Sequence, residues 1–343
     1  MTLLWTEGFD AFGTATGAEP APDGIIPRKW ASGSSENYTD IENGYKRDYC
    51  WEPGGARSLY TPTGLTTNKT LIVGFQYSPW SIDRPQEGVS FNLITLREGT
   101  TESLILKQVG PSLEVWRGST HLDSYLRLMM RGEKWFWLEF KATCDNTSGS
   151  YEVRLNGLTI MSDTGVDTQG GSQGYWDNVR FGNFKSNEKI DHLYICDGSG
   201  SDNNDFLGNV TVHTIRPDGD NTNNFATTTN ASHYQAVDED QVDDDTTYVE
   251  DSSSGATEIY TYEPTVNFTT VHGLTVHSQV NSGNASVTFQ TVVDSSGSTT
   301  TQNSTINTSD YTNEMFIVEQ DPNTSSAWTA STINSVKAGI KLP

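Results

Sequence analysis

The residues best suited to hold an ion are Asp197, Ser199, Asp202, Asn203 and Asp205, in the run DGSGSDNNDFLG. Calcium takes about six to eight oxygens, and this run supplies enough of them to leave calcium open as a cofactor. The run lacks the spacing and closing Glu of an EF-hand, and Asp and Asn side chains that cap their own turns account for the same composition. Trp135 and Trp137 share one face of the segment KWFWLEFK. Exposed, they would stack on a sugar ring; buried, they are core. General acid–base work needs two carboxylates that face each other across a bond. The strand acids Glu139 and Glu152 instead stand on separate segments beside Lys141 and Arg154, and read as solvated ion pairs. The acids of VDEDQVDDD, residues 237–245, fall in a sequence without strand alternation and read as a solvated loop.

The six histidines (His121, His192, His213, His233, His272 and His277) show neither zinc spacing nor a Ser or Cys partner motif. Cys50, Cys144 and Cys196 form no metal spacing and no even framework, so buried free thiols are expected. Phosphate-cradling glycine loops are absent. No residue is assigned as catalytic, cofactor-binding or metal-binding, and the chain reads as a non-enzyme.

Strands must position these groups. The stretch KIDHLYICDGSGSDNNDFLG organises the chain: Ile190, His192, Tyr194 and Cys196 alternate with Asp191, Leu193 and Ile195, as in a half-buried strand. A polar loop follows, then a second alternation, Val210, Val212 and Thr214 against Thr211, His213 and Ile215. This stretch reads as the seam between two antiparallel β-sandwiches, residues 1–205 and 206–343. The segment Leu4–Phe9 predicts an edge strand, and the coil through Pro20, Pro22, Pro27 and Pro53 is expected to lie over a sheet, held by Trp30, Tyr45 and Trp51. Further strands are predicted over 71–77, 89–94, 104–108 and 113–117. The strongest signal is the hairpin of Lys134–Gly157, whose Phe136, Leu138 and Phe140 face one way and Trp137, Glu139 and Lys141 the other. In the second half, residues 217–256 predict an acidic loop segment, strands are expected at 274–280, 287–291 and 336–342, and a helical turn at 329–334 is anchored by Trp328.

Length and charge bound the rest. A chain of 343 residues suits two domains, and its Gly-, Thr-, Ser- and Asn-rich composition favours strands and turns over helices. A net charge of -23 argues against nucleic acid and anionic membranes as partners. MTLLWTEGFD has neither the basic start nor the apolar segment of a signal peptide, and no run approaches a membrane span.

The strands WLEF, YEVRLNG and DNVRFG, followed by IDHLYICD, resemble the later strands of concanavalin A-like (laminin-G-like) lectin and glucanase sandwiches. The resemblance implies a jelly roll for the first domain. Glucanases of that class carry alternating acids in an E-x-D-x-x-E strand, which this chain lacks. The seam DGSGSDNNDFLGNV, the segment HYQAVDEDQVDDDTTYV and the C-terminal AWTASTINSVKAGIK resemble structural proteins of tailed bacteriophage virions. That resemblance implies an all-β, non-enzymatic virion component (a capsid decoration or tail protein) that packs against other virion proteins as a homo-oligomer. The alternative it leaves is a receptor-recognition module that binds host surface glycans.

Overall fold

The computed structural model describes residues 2–10, 29–31, 50–52, 57–79, 90–126, 134–184, 188–229, 232–239, 243–264, 268–283 and 285–343. Among them the chain is nearly all antiparallel β and divides into two compact units, Met1–Val212 and His213–Pro343. The first unit contains β1 (Leu3–Glu7), β2 (Arg57–Tyr60), β3 (Thr70–Ser78), β4 (Ser90–Glu98), β5 (Thr101–Val109) and β6 (Ser112–Arg117). It continues with β7 (Thr120–Leu126), β8 (Phe136–Thr143), β9 (Gly149–Leu155), β10 (Leu158–Val166), β11 (Asn178–Phe184) and β12 (Lys189–Asp197). These strands form two six-stranded sheets, ordered β1-β12-β3-β8-β9-β10 and β2-β11-β4-β5-β6-β7.

Period-two alternation sends Leu71, Val73, Phe75 and Tyr77 of β3, with Leu138 and Phe140 of β8, into the space between the sheets, where all are buried. Ile94, Leu96, Leu104, Leu106 and Phe181 meet them from the other sheet. The Phe75 and Phe181 rings meet edge to face across the gap, 5.9 Å apart, and the Tyr77 hydroxyl donates to Gln108 at 3.1 Å. Each large apolar side chain so buried contributes about 1.5–3 kcal/mol. Trp30 and Trp51 are buried as expected of anchors, whereas Pro20, Pro22, Pro27, Tyr45, Pro53 and Val89 lie outside the described residues. The three cysteines form no disulfide and are buried. The hairpin of residues 134–157 pairs as predicted, and Asn156 and Gly157, at φ 50° and 80°, make the two-residue turn into β10.

The second unit contains β13 (Pro217–Asn223), β14 (Ala226–Thr227), β15 (Val249–Glu250), β16 (Thr257–Tyr262), β17 (Leu274–Val280) and β18 (Val287–Ser295). It ends with β19 (Ser298–Ile306), β20 (Thr312–Val318), β21 (Gln320–Asp321), β22 (Ser326–Ala327) and β23 (Lys337–Lys341). A five-stranded sheet, β13-β16-β23-β18-β19, faces the β17–β20 ribbon over a core of Val293, Phe316, Val318, Trp328, Ile333, Val336 and Ala338. Trp328 anchors the helical turn Ala330–Ile333 as predicted, its Nε1 donating to the Val318 carbonyl at 2.9 Å. No helix among the described residues is long and apolar enough to cross a membrane.

Three expectations need correction. Val210–Ile215 forms no strand. Its first residues are instead bonded down onto the first unit, with the Val212 N–H donating to His192 Nδ1 at 3.2 Å. For the same reason the units divide after Val212 rather than at Asp205. Residues 217–256, expected as an acidic loop, contain β13, β14, β15 and a 3-10 turn at His233–Ala236. The organising group is the buried Glu258 of β16, whose carboxylate accepts the Phe225 N–H at 3.0 Å and lies 3.1 Å from His233 Nδ1. Burial pushes the Glu258 carboxyl above its ordinary pKa. Asp220 of β13 completes the arrangement by accepting the His233 and Tyr234 N–H groups at 3.1 and 2.7 Å.

Candidate functional site

The polar groups with chemical potential converge on the outer face of the β1–β10 sheet of the first unit. Strand pairing builds that face row by row. Tyr194 of β12, Gly74 of β3, Glu139 of β8 and Arg154 of β9 lie opposite one another, and Cys196, Ile72, Lys141 and Glu152 form the next row. The Tyr194 ring crosses β3 to reach Glu139 and donates to Oε1 at 2.7 Å. Gly74 makes this passage possible, since a Cβ there would sit 2.3 Å from Tyr194 Cε1. Gly74→Ala is therefore expected to cost about 1–3 kcal/mol, checked by chemical denaturation. Trp137 stacks on Tyr194 with ring centroids 6.0 Å apart.

The chain's own connector then covers the face. The Gly208 N–H donates to Glu139 Oε1 at 2.9 Å and the Leu207 N–H to the Tyr194 hydroxyl at 3.1 Å. Gln76 donates to Asn209 Oδ1 at 2.8 Å, and Lys141 pairs with Asp205 at 2.9 Å. Phe206 lies under the Arg154 guanidinium, 4.0 Å from its ring centroid. Beneath this cover Glu139, Gln76, Tyr194 and Trp137 are all buried. Burial, then the neighbouring Glu139 charge, lifts the Tyr194 pKa well above the ordinary tyrosine value.

These contacts decide most of the sequence expectations about the site. Glu139 is buried and bonded to Tyr194 and Gly208, and is not a solvated partner of Lys141. Glu152 does pair with Arg154, at 2.7 Å, and also accepts Thr159 Oγ1 at 2.7 Å. β12 is buried along nearly its whole length rather than half-buried, and a bulge at His192, φ 49°, breaks the expected alternation. Of the two tryptophans, Trp137 is buried and Trp135 half-buried. In the oxygen-rich loop, Asp197 accepts Thr66 Oγ1 at 2.8 Å and the N–H and hydroxyl of Ser199, and Asp205 accepts the Phe206 N–H at 2.8 Å. Those carboxylates cap their own turns, and among the described residues no three His, Cys, Asp or Glu side chains gather to hold a metal. In the acidic segment, Glu239 and Asp243 both bind Thr247 and Asp245 accepts the Tyr311 hydroxyl; residues 240–242 lie outside the described residues. Burial and the Asp243 and Asp238 charges raise the Glu239 pKa.

Gly74, Gln76 and Asn209 are site residues that the sequence reading missed. A glycine inside the pattern Leu71–Tyr77 was the available signal, since it marks a strand interior where another group approaches closely.

No family model matches the chain, and no curated protein matches it at a significant level. Among solved structures it is similar to the alginate lyase Aly36B, at 12% identity and TM-score 0.39, over 55% of this chain and 95% of that one. It is also similar to AlgAT5, an alginate lyase of polysaccharide lyase family 7, at 10% identity and TM-score 0.35, over 53% and 92%. A third is the Trypanosoma rangeli sialidase, at 12% identity and TM-score 0.34, over 53% of this chain and 33% of that one. The first unit is a jelly-roll β-sandwich. Its strand order carries that statement, and the likenesses add nothing about chemistry.

Proposed function

We propose that this chain is a non-enzymatic structural protein of a tailed-phage virion, on the capsid or the tail, acting through protein–protein packing. One observation carries the reading. The sheet face where Glu139, Tyr194, Lys141 and Arg154 converge is filled by the chain's own residues 205–212, so its polar groups hold the fold together instead of meeting a substrate. The end of the seam sequence DGSGSDNNDFLGNV, which resembles tailed-phage virion proteins, lies in that cover, from Asp205 onward. A repeated particle component needs this rigidity, because it works by presenting a fixed surface to neighbours.

The test is the particle itself. Mass spectrometry of purified virions from the phage that encodes the chain is expected to find its peptides at a fixed stoichiometry, with matching density at a symmetric position in a reconstruction. Absence from the particle would reject the proposal. Glycan-array binding abolished by Trp135→Ala would favour host-glycan recognition instead.

A further inference from the structure

Sheet edges are exposed rows of N–H and C=O groups, and proteins blunt them with bulges, prolines or charges. Among the described residues, five of the six edge strands of the three large sheets carry register shifts: β1, β10, β2, β7 and β13, the last also starting at Pro217. The sixth edge strand, β19, has none. Its nine residues pair with β18 in unbroken register, Ser295 to Ser298 through Val287 to Ile306. Among the described residues no other strand pairs with it. Its sequence, STTTQNSTI, contains no charge and no proline, in a chain with a net charge of -23. Acidic copies that repel one another elsewhere can therefore bring this strand together without like-charge contact.

We propose that β19 is an interface with a second copy of this chain, paired antiparallel about a two-fold axis near Gln302. In that register Thr301 faces Asn303 of the other copy, Thr299 faces Thr305, Thr300 faces Ser304 and Gln302 faces Gln302, so hydroxyl and amide side chains meet in every pair but the outermost, Ser298 with Ile306. The β18–β19 junction already uses this chemistry, with Thr288 and Thr305 hydroxyls 2.8 Å apart and Gln290 donating to Asn303 at 3.0 Å. Gln302 fixes the middle of the strand from the inner face, its Nε2 donating to the Met315 carbonyl at 3.1 Å. Two five-stranded sheets thereby join into one continuous sheet. The union closes as a dimer, since the far edge at β13 is bulged.

The inference goes beyond the virion reading and does not depend on it; a chain absent from particles could still dimerise this way. The test is sedimentation velocity on the full chain across a concentration series. Wild type is expected to show a monomer–dimer equilibrium, and Thr301→Lys with Asn303→Lys to raise the dissociation constant on the order of a hundredfold, while the melting temperature of the monomer, read well below the dissociation constant, is unchanged. Thr288→Lys, on the same outward face but one strand in, is expected to leave the equilibrium unchanged. A cysteine pair, Thr301→Cys with Asn303→Cys, is expected to cross-link two chains under oxidation. A wild type that stays monomeric, or a lysine pair that dimerises like wild type, overturns the proposal. So does a Thr288→Lys variant that weakens the dimer as much as the edge pair.

Discussion

Replacing Glu98 by alanine is expected to destabilise the first unit by about 3–5 kcal/mol, the larger of the two strongest effects the structure predicts. Glu98 ends β4 and is buried, and its two oxygens collect the donors of a whole loop. Oε1 accepts Ser103 Oγ at 3.0 Å and the N–H groups of Gly170 and Gly171 at 3.2 and 2.8 Å. Oε2 accepts the N–H groups of Gln173 and Gly174 at 2.7 and 3.4 Å. Trp176 Nε1 donates to the same Ser103 hydroxyl at 2.9 Å, so a buried indole depends on the arrangement as well. Alanine leaves several of these donors without an acceptor. The Ser103 hydroxyl is buried, where an orphan costs about 1–3 kcal/mol, and the N–H groups of the exposed Gly170, Gly171 and Gln173 add less each because water reaches their loop. Glutamine is expected to be nearly as damaging. Both carboxylate oxygens face donors, so either orientation of the amide sets its NH2 against an N–H group. Urea unfolding gives the energy, and hydrogen exchange at Gly170–Gly174 shows where it is lost. A change below about 1 kcal/mol with protection retained would refute this account.

How much of this could be read beforehand depends on where the apolar contrast lies. β3, β8, β9, β17, β18 and β23 announce themselves because large apolar residues alternate with polar ones. β19 gives no such contrast: Thr, Ser, Gln and Asn occupy both of its faces, and only Ile306 is buried. β13, PDGDNTN, has the composition of a turn and is a strand only because β16 pairs with it. Local propensity yields there to long-range pairing. The site was legible to the same degree. Alternation placed Glu139 on the face of Trp137 and away from the core, as found. Its burial was not legible, because the cover comes from Gly208, 69 residues further along. Glu98 gave no signal at all, since its partners Gly170–Gly174 form a loop whose composition promises only a turn.

Glu139→Ala is expected to release the connector from the sheet and to cost about 2–4 kcal/mol. Two kinds of contact hold that connector, and their magnitudes differ. The Lys141–Asp205 pair is solvent-exposed, with side chains 31% and 64% accessible, and such pairs contribute about 0–1 kcal/mol. The Glu139 carboxylate is 1% accessible and serves two donors, so its loss strands the Tyr194 hydroxyl and the Gly208 N–H together. Asp205→Asn should thus be nearly silent, while Glu139→Ala should expose residues 205–212 to limited proteolysis and abolish exchange protection at Leu207 and Gly208. Tyr194→Phe should fall between, about 1–2 kcal/mol, because Glu139 keeps Gly208 but the Leu207 N–H loses its acceptor. The pH dependence has a definite sign. The Tyr194 pKa is raised on folding, so the bond's contribution is complete below the ordinary tyrosine value of about 10 and is lost only as pH rises through the higher folded value. The difference in stability between wild type and Tyr194→Phe should accordingly stay constant from neutral pH to about 9 and shrink in stronger alkali. A difference that already vanishes near neutrality would mean that the Tyr194–Glu139 bond is not what fixes the connector.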